Sequence, residues 1–242
     1  NDDLEGFRKV PSGRLILEKE LVKKADLILA VTEDLVKKAK RIKGSSKGIF
    51  YLPNGVDLKV FFKKAKIPKE YKKIPSPRAV YIGSLSDWFD WNLLISTAKI
   101  KKEVSFVIIG KGRVPKPLPP NIFFLGEKKY EKLPSFLQYA NVGLIPFKES
   151  KKVKDLERPL KFYQYLASGL PVIATPVGRL KEKISPFAFF GKNPQEFAKA
   201  IDKALSLPKE KREKLKEKAK EFSGENIFQK FQEILQKYEA SF

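Results

Sequence analysis

Hydrophobic and polar positions follow two different periods along this chain. Short runs that are apolar at nearly every position predict buried strands, and longer amphipathic stretches predict helices. From residue 79 onward the two types alternate regularly, which is typical of βαβ units and a parallel sheet. The predicted strands are residues 26–31, 49–52, 79–82, 104–109, 122–125, 142–146, 172–174 and 187–190. The predicted helices are residues 15–25, 32–42, 91–101, 133–140, 160–168, 194–205, 209–222 and 225–238.

This order of elements predicts an α/β protein with a doubly wound, Rossmann-like parallel sheet. Several strands are apolar at every position, as expected when helices cover both faces of a sheet. Residues 1–46 contain too few strands for such a sheet and predict only a partial αβα unit. We therefore expect three parts, namely residues 1–46, a main unit at 47–222 and a C-terminal helix at 223–242.

Composition excludes several classes of chemistry. The 242 residues include no Cys and no His, which excludes a disulfide framework, a cysteine nucleophile and a Ser-His-Asp triad within the chain. No apolar run reaches the roughly 18–20 residues that span a bilayer, so we expect a cytoplasmic protein. Because the first residue is Asn rather than Met, we expect a fragment, a processed chain or a trimmed one.

Charge allows two interpretations. The chain has 50 Lys and Arg against 28 Asp and Glu, a formal net charge of +22. Most of the lysines are spread along the sequence and alternate with glutamates, as on a solvated helix surface. The alternative is a polyanionic partner, such as a nucleic acid, an anionic membrane or a phosphorylated ligand.

Glycines and charged residues follow the predicted strands at the positions where doubly wound sheets bind ligands. Glycine lets a ligand approach the backbone, and nearby cations attract an anion, so this combination favours a phosphate-bearing ligand. The alternative is that each glycine only makes a tight turn between strand and helix. The candidate binding residues at these ends are Gly83, Ser84, Gly110, Lys111, Arg113, Gly126 and Glu127.

Two long segments and a shorter one resemble a known family. The sequence ADLILAVTEDLVKKAKRIKGSSKGIFYLPNGVD, at residues 25–57, resembles the join between the two lobes of GT-B glycosyltransferases. PLKFYQYLASGLPVIAT, at residues 159–175, is similar to the donor-binding helix and the following strand of the large retaining family numbered four. GSLSDWFDW, at residues 83–91, resembles a subgroup that assembles cell-surface polysaccharides.

The resemblance implies a retaining glycosyltransferase that uses a nucleotide-diphosphate sugar and no metal or other cofactor. In its terms, residues 1–46 are the tail of an N-terminal acceptor lobe, and residues 47–222 are the nucleotide-sugar-binding lobe. The implied partners are the missing acceptor lobe and a lipid or polysaccharide acceptor at the inner membrane face, with no nucleic acid. We expect the chain alone to be inactive.

The resemblance also assigns roles to individual residues. Relatives use two glutamates, one for the ribose and one for a sugar hydroxyl, and these positions are occupied here by Gln164 and Leu156, with Glu157 one residue away. The cations that usually neutralise the diphosphate are replaced by Ser84 and Phe89, so Lys161, Lys111 or Arg113 would supply that charge. Tyr130 or Phe124 would flank the base, and no catalytic residue is identified.

These departures keep one other function open, and the net charge keeps a second one open. One is a non-catalytic nucleotide-binding lobe or a subunit of a split glycosyltransferase. The other is a basic nucleic-acid-binding α/β protein, although no nucleic-acid-binding motif accompanies the charge.

Overall fold

Two parallel sheets of unequal size organise the chain in the computed structural model, which describes residues 10–150, 153–154 and 156–240. The strands are β1 (Ile28–Ala30), β2 (Ile49–Tyr51), β3 (Arg78–Ile82), β4 (Ser105–Ile109), β5 (Ile122–Phe124), β6 (Val142–Ile145), β7 (Val172–Ala174) and β8 (Ala188–Phe190). The helices are α1 (Ser12–Lys24), α2 (Glu33–Lys43), α3 (Leu58–Phe62), α4 (Trp91–Ile100), α5 (Leu133–Leu137), α6 (Leu160–Ala167), α7 (Leu180–Ile184), α8 (Pro194–Leu205), α9 (Lys209–Ala219) and α10 (Gly224–Glu239).

The larger sheet has six parallel strands in the order β5-β4-β3-β6-β7-β8. Counted from β3, this is the order 3-2-1-4-5-6 of a doubly wound sheet, and the strand order reverses between β3 and β6. Strands β4, β6 and β7 are buried at every position because helices cover both faces. The predicted fold class is confirmed.

The smaller sheet pairs β1 with β2 in parallel. Thr32 accepts a hydrogen bond from the Leu35 backbone N–H and so caps α2, the helix that joins the two strands. The predicted boundary after residue 46 lies between these paired strands, so the structure groups β2 with the preceding elements. Residues 1–9 of the predicted first part lie outside the described residues.

The C-terminal helix runs beside the smaller sheet. A Cβ added to Gly55 would approach the Ile227 side chain, and one added to Gly48 would lie 3.3 Å from the Tyr238 ring. Helix α10 therefore extends from the junction at Gly55 to the loop before β2, and it packs against residues 48–55.

Several boundaries differ from those predicted. The helix predicted at residues 133–140 is only α5, and the one predicted at 209–222 ends as α9, with a 3-10 turn at Lys220–Phe222. Helices α3 and α7 were not predicted, because five-residue helices are too short to show a period. In the described part of the chain, no helix is long and apolar enough to cross a membrane.

Candidate functional site

The main cleft opens at the carboxyl ends of the strands, where the order of the larger sheet reverses. Its volume is about 940 Å³, and its walls include the ends of β3 and β4 and the beginning of α6. The residues between β1 and α2 and the turn before α3 close the other side through Val31, Thr32 and Asn54. A doubly wound sheet binds its ligands at this position.

Most of the residues predicted from the sequence line this cleft. They are Gly83, Ser84, Gly110, Lys111, Glu127, Lys161 and Gln164. Arg113, Gly126 and Tyr130 are not among the lining residues. Arg113 is exposed to solvent, and the Gly126 carbonyl accepts a hydrogen bond from the Gly110 N–H at 3.0 Å. The structure therefore brings together seven of the ten predicted residues.

Glycine is required where the ends of β3 and β4 meet. A Cβ added to Gly110 would lie 1.8 Å from the Gly83 carbonyl oxygen, closer than any side chain can approach. A Cβ added to Gly83 would lie 2.9 Å from the Lys161 Nζ. Both glycines thus keep the cleft floor flat and leave room for the lysine above it.

Lys161 occupies the second position of α6, and its amine lies against two aromatic faces. Its Nζ is 4.0 Å from the centroid of the Tyr81 ring and 4.7 Å from that of Phe147. The residue as a whole is partly exposed, but its amine is enclosed by protein, and this burial lowers the pKa of Lys161 to about 7. Among the described residues, no carboxylate forms an ion pair or hydrogen bond with it.

The N-terminus of α6 provides a second feature suited to an anion. Pro159 precedes the helix and offers no side-chain cap, so within the described residues the first N–H groups of the helix have no side-chain acceptor. The partial positive charge at this end adds to that of Lys161, which lies in the same turn.

Gln164 and Tyr130 contact each other at the side of the cleft near α3. Burial raises the pKa of the Tyr130 hydroxyl, and hydrogen bonds with the Gln164 side chain and the Asp57 backbone oppose this shift. The Tyr130 ring packs edge-on against Phe61, with centroids 5.5 Å apart. Tyr130, which was predicted to flank the nucleobase, therefore contacts Gln164 instead.

Glu157 is a cleft residue that the sequence analysis noted only by its position. It is buried, and its Oε1 accepts hydrogen bonds from the Arg179 guanidinium at 2.9 Å and from the Glu33 backbone N–H at 3.0 Å. Its Oε2 is also buried and has no hydrogen-bond partner among the described residues. Leu156, the residue at the expected glutamate position, lines the same cleft.

Arg179 links Glu157 to a cluster of charges that sequence analysis missed. Its Nη2 donates to Glu33 and Glu182, each at 2.9 Å, and Lys183 also donates to Glu33 at 3.0 Å. This junction cluster (Glu33, Asp34, Glu157, Arg179, Glu182 and Lys183) joins the N-terminus of α2 to α7. Its members lie as much as 150 positions apart, and no local pattern predicts such a pairing.

Two further observations bear on the site. Trp88 lines the cleft, whereas Trp91 packs edge-on against Phe89 at 4.7 Å and lines a separate hollow. Within the described residues, no group of three or more His, Cys, Asp or Glu side chains could hold a metal ion.

The chain is similar to a curated protein in sequence and to several solved structures in fold. TuaH of Bacillus subtilis (strain 168), named for a glycosyltransferase role in teichuronic acid biosynthesis, is 22% identical over 201 residues, 78% of this chain and 50% of TuaH. Anabaena HepE, solved in complex with UDP-glucose, matches with a TM-score of 0.72 and 16% identity over 97% of this chain and 70% of HepE. Sucrose-phosphate synthase from Thermosynechococcus elongatus matches with a TM-score of 0.69 and 20% identity, over 97% of this chain and 63% of the synthase.

The extent of these matches defines what they show. At such low identities the solved structures show the fold alone, and the chain spans about half the length of TuaH. Residues 76–206 match the family profile described as "Glycosyl transferases group 1". Since this match covers more than half of the 242 residues, the chain belongs to the group 1 glycosyl transferases.

Proposed function

We propose that this chain binds the nucleotide-diphosphate sugar of a retaining glycosyltransferase and forms the donor side of its active site. The observation that supports this most strongly is the position of Lys161. Its amine is enclosed at the switch point of the sheet, beside an uncapped helix N-terminus, with no carboxylate partner among the described residues. A diphosphate would supply the missing negative charge.

The cleft accommodates the rest of such a ligand. Its volume of about 940 Å³ lies within the range of small-molecule sites, roughly 300–1,000 Å³. The diphosphate would lie over Gly83 and Gly110 against the start of α6, and the ribose would contact Gln164. Structures of HepE are described with UDP and with UDP-glucose, which favours a uridine nucleotide as the first ligand to test.

In the transfer reaction, the bond between the anomeric carbon and the diphosphate oxygen breaks, and a bond from that carbon to the acceptor oxygen forms on the same face of the sugar. Negative charge develops on the departing diphosphate, which takes up the proton of the acceptor hydroxyl. Lys161 and the α6 N–H groups would stabilise that charge, an effect often worth several kcal/mol in enzymes. The proposed acceptor is a lipid or polysaccharide hydroxyl bound by another part of the complete protein, and no metal or other cofactor takes part.

Calorimetry with UDP, UDP-glucose and uridine tests the binding step. We expect both phosphate-containing ligands to bind more tightly than uridine, with little dependence on salt compared with a nucleic acid, whose affinity falls steeply as salt rises. Absence of binding by all three ligands would contradict the proposal. Tight binding to DNA or RNA, lost at high salt, would favour a nucleic-acid-binding protein instead.

Leu156 favours one alternative, a lobe that binds nucleotide without transferring sugar. An apolar side chain lines the cleft where relatives are expected to contact a sugar hydroxyl. If UDP and UDP-glucose bind with equal affinity and the complete protein does not turn over any nucleotide sugar, the non-catalytic alternative is supported.

A further inference from the structure

The surroundings of the Lys161 amine attract a cation but do not neutralise one. The faces of Tyr81 and Phe147 lie 4.0 and 4.7 Å from Nζ, and Gly83 lies directly beside it. Each ring face attracts an ammonium electrostatically. Neither face replaces the hydration that the charged form loses on burial.

The titratable groups around Lys161 are engaged elsewhere. On β3, Tyr81 donates its hydroxyl to the Ser84 carbonyl at 2.7 Å, and on α6 itself Tyr165 donates to the Leu144 carbonyl at 3.1 Å. Burial raises the pKa of both hydroxyls, so both stay neutral. Beyond Phe147, Glu149 accepts from the Gly178 N–H.

Charged residues elsewhere on the cleft wall also leave Lys161 without a counter-ion. Glu157 is bound to Arg179, and Lys128 pairs with Glu70 at 2.8 Å. The remaining charged residues of the wall are Lys111, Glu127 and Arg158. In the described part of the chain, none of these side chains forms an ion pair or hydrogen bond with Lys161.

We infer that binding of the diphosphate at this site is coupled to the uptake of one proton, which is received by the Lys161 amine. The inference rests on the proposed function, because the diphosphate is the ligand that drives the uptake. In the free protein the amine is largely neutral above neutral pH. When the ligand binds, a proton from solvent converts the amine to an ammonium, which then donates to the phosphate oxygens.

Protonation of Lys161 makes the affinity fall as the pH rises, whereas ionisation of the ligand's own phosphate makes it rise. A terminal phosphate loses its last proton near pH 6, so its own ionisation favours binding as the pH rises to about 7. Burial lowers the pKa of Lys161 in the free protein to about 7. Above that pH, binding must protonate the amine, so the affinity falls, by about 15-fold between pH 7.0 and 8.5 for a pKa of about 7 that binding raises above 10.

Calorimetry at pH 8.0 in buffers of different ionisation enthalpy measures the uptake directly. We expect the intact chain to take up about one proton per UDP and none per uridine. Lys161→Met removes the amine while keeping a long apolar side chain, so this variant should take up none. Lys199→Met removes an exposed lysine of α8 and should behave like the unchanged protein.

A titration of the ligand-free protein keeps the inference testable if Lys161→Met does not fold. In a protein with ¹³C-labelled lysines, the Lys161 Cε resonance, assigned with Lys161→Arg, should shift with a midpoint near pH 7. A midpoint above pH 10, or tight UDP binding without proton uptake, would overturn the inference and leave the proposed function intact. Absence of any nucleotide binding would overturn both.

Discussion

Two cations near the same cleft have opposite surroundings. Arg179 donates to Glu33, Glu157 and Glu182, and its pKa is raised, first by the hydrogen bond with Glu182 and then by that with Glu33. Lys161 faces two aromatic rings and has no carboxylate partner among the described residues, and burial lowers its pKa to about 7. The first arrangement stabilises the protein without a ligand, whereas in our proposal the second is completed by a bound anion.

The difference separates a structural charge from one that we propose binds a ligand. Breaking a buried ion pair leaves an uncompensated charge and destabilises the fold. Removing a buried amine that has no carboxylate partner in the described part of the chain leaves no such charge behind, so the fold is unaffected or stabilised, and the loss is confined to binding. Binding sites commonly lower stability in this way.

The largest expected effect is a loss of stability when the junction cluster is broken. Arg179→Ala leaves Glu157 buried without its guanidinium partner, and we expect the free energy of unfolding to fall by about 3 kcal/mol. Denaturant unfolding at pH 7 measures this. Arg41→Ala, which removes an exposed arginine of α2, should change the value by less than about 0.5 kcal/mol. Equal losses in the two variants would show that the cluster contributes no specific stability.

The stabilisation by the cluster should also depend on pH. Hydrogen bonds from Lys183 and then Arg179 lower the pKa of Glu33, and the hydrogen bond from Arg179 lowers that of Glu182. For carboxyls with a lowered folded-state pKa, the stabilisation is complete above the unfolded value of 4.5 and is lost as the pH falls through the folded value. The destabilisation caused by Arg179→Ala should therefore be smaller at pH 3 than at pH 7. A difference that is constant over this range would contradict an electrostatic origin.

The next effect concerns Lys161. We expect Lys161→Met to weaken the binding of a nucleoside diphosphate by about 1.5–3 kcal/mol, the contribution of a hydrogen bond to a charged group. Binding of the nucleoside alone should not change, because it has no phosphate. Thermal unfolding of the same variant should show equal or higher stability. If uridine loses as much affinity as UDP, the lysine does not contact the phosphates.

The sequence predicted one of these cations and not the other for a physical reason. Lys161 was predicted because residues 159–175 resemble the donor-binding helix of a known family, a local segment that can be identified without knowing the fold. Arg179 donates a hydrogen bond to Glu33, 146 positions away. Contacts of this kind follow from the packing of whole elements rather than from any sequence periodicity. Strands β4, β6 and β7 were predictable because burial on both faces leaves an apolar run, whereas α7 was too short to leave a pattern.

The ribose side of the cleft should show a smaller effect. Gln164 is neutral and contacts Tyr130, so Gln164→Ala should weaken binding by about 0.5–1.5 kcal/mol, as for a neutral hydrogen bond. The loss should be the same for uridine and UDP, since both contain the ribose. Gln229→Ala, on the exposed surface of α10, serves as the matched control. A loss seen with UDP alone would place Gln164 near the phosphates instead.

The smallest effects on binding are expected for Lys111 and Arg113. The sequence offered these two exposed cations as alternatives to Lys161 and gave no order among the three. Lys111 lines the cleft but is solvated, so Lys111→Ala should weaken UDP binding by only about 0.5 kcal/mol, and added salt should remove the difference. Arg113 lies outside the cleft wall, so Arg113→Ala should bind UDP like the unchanged protein. Titrations at two salt concentrations decide this. Either variant could instead show a loss of affinity that resists salt and is as large as that for Lys161→Met. Exposure would then not distinguish the cations. The contrast between Arg179, with its carboxylate partners, and Lys161 would no longer explain the proposed position of the diphosphate.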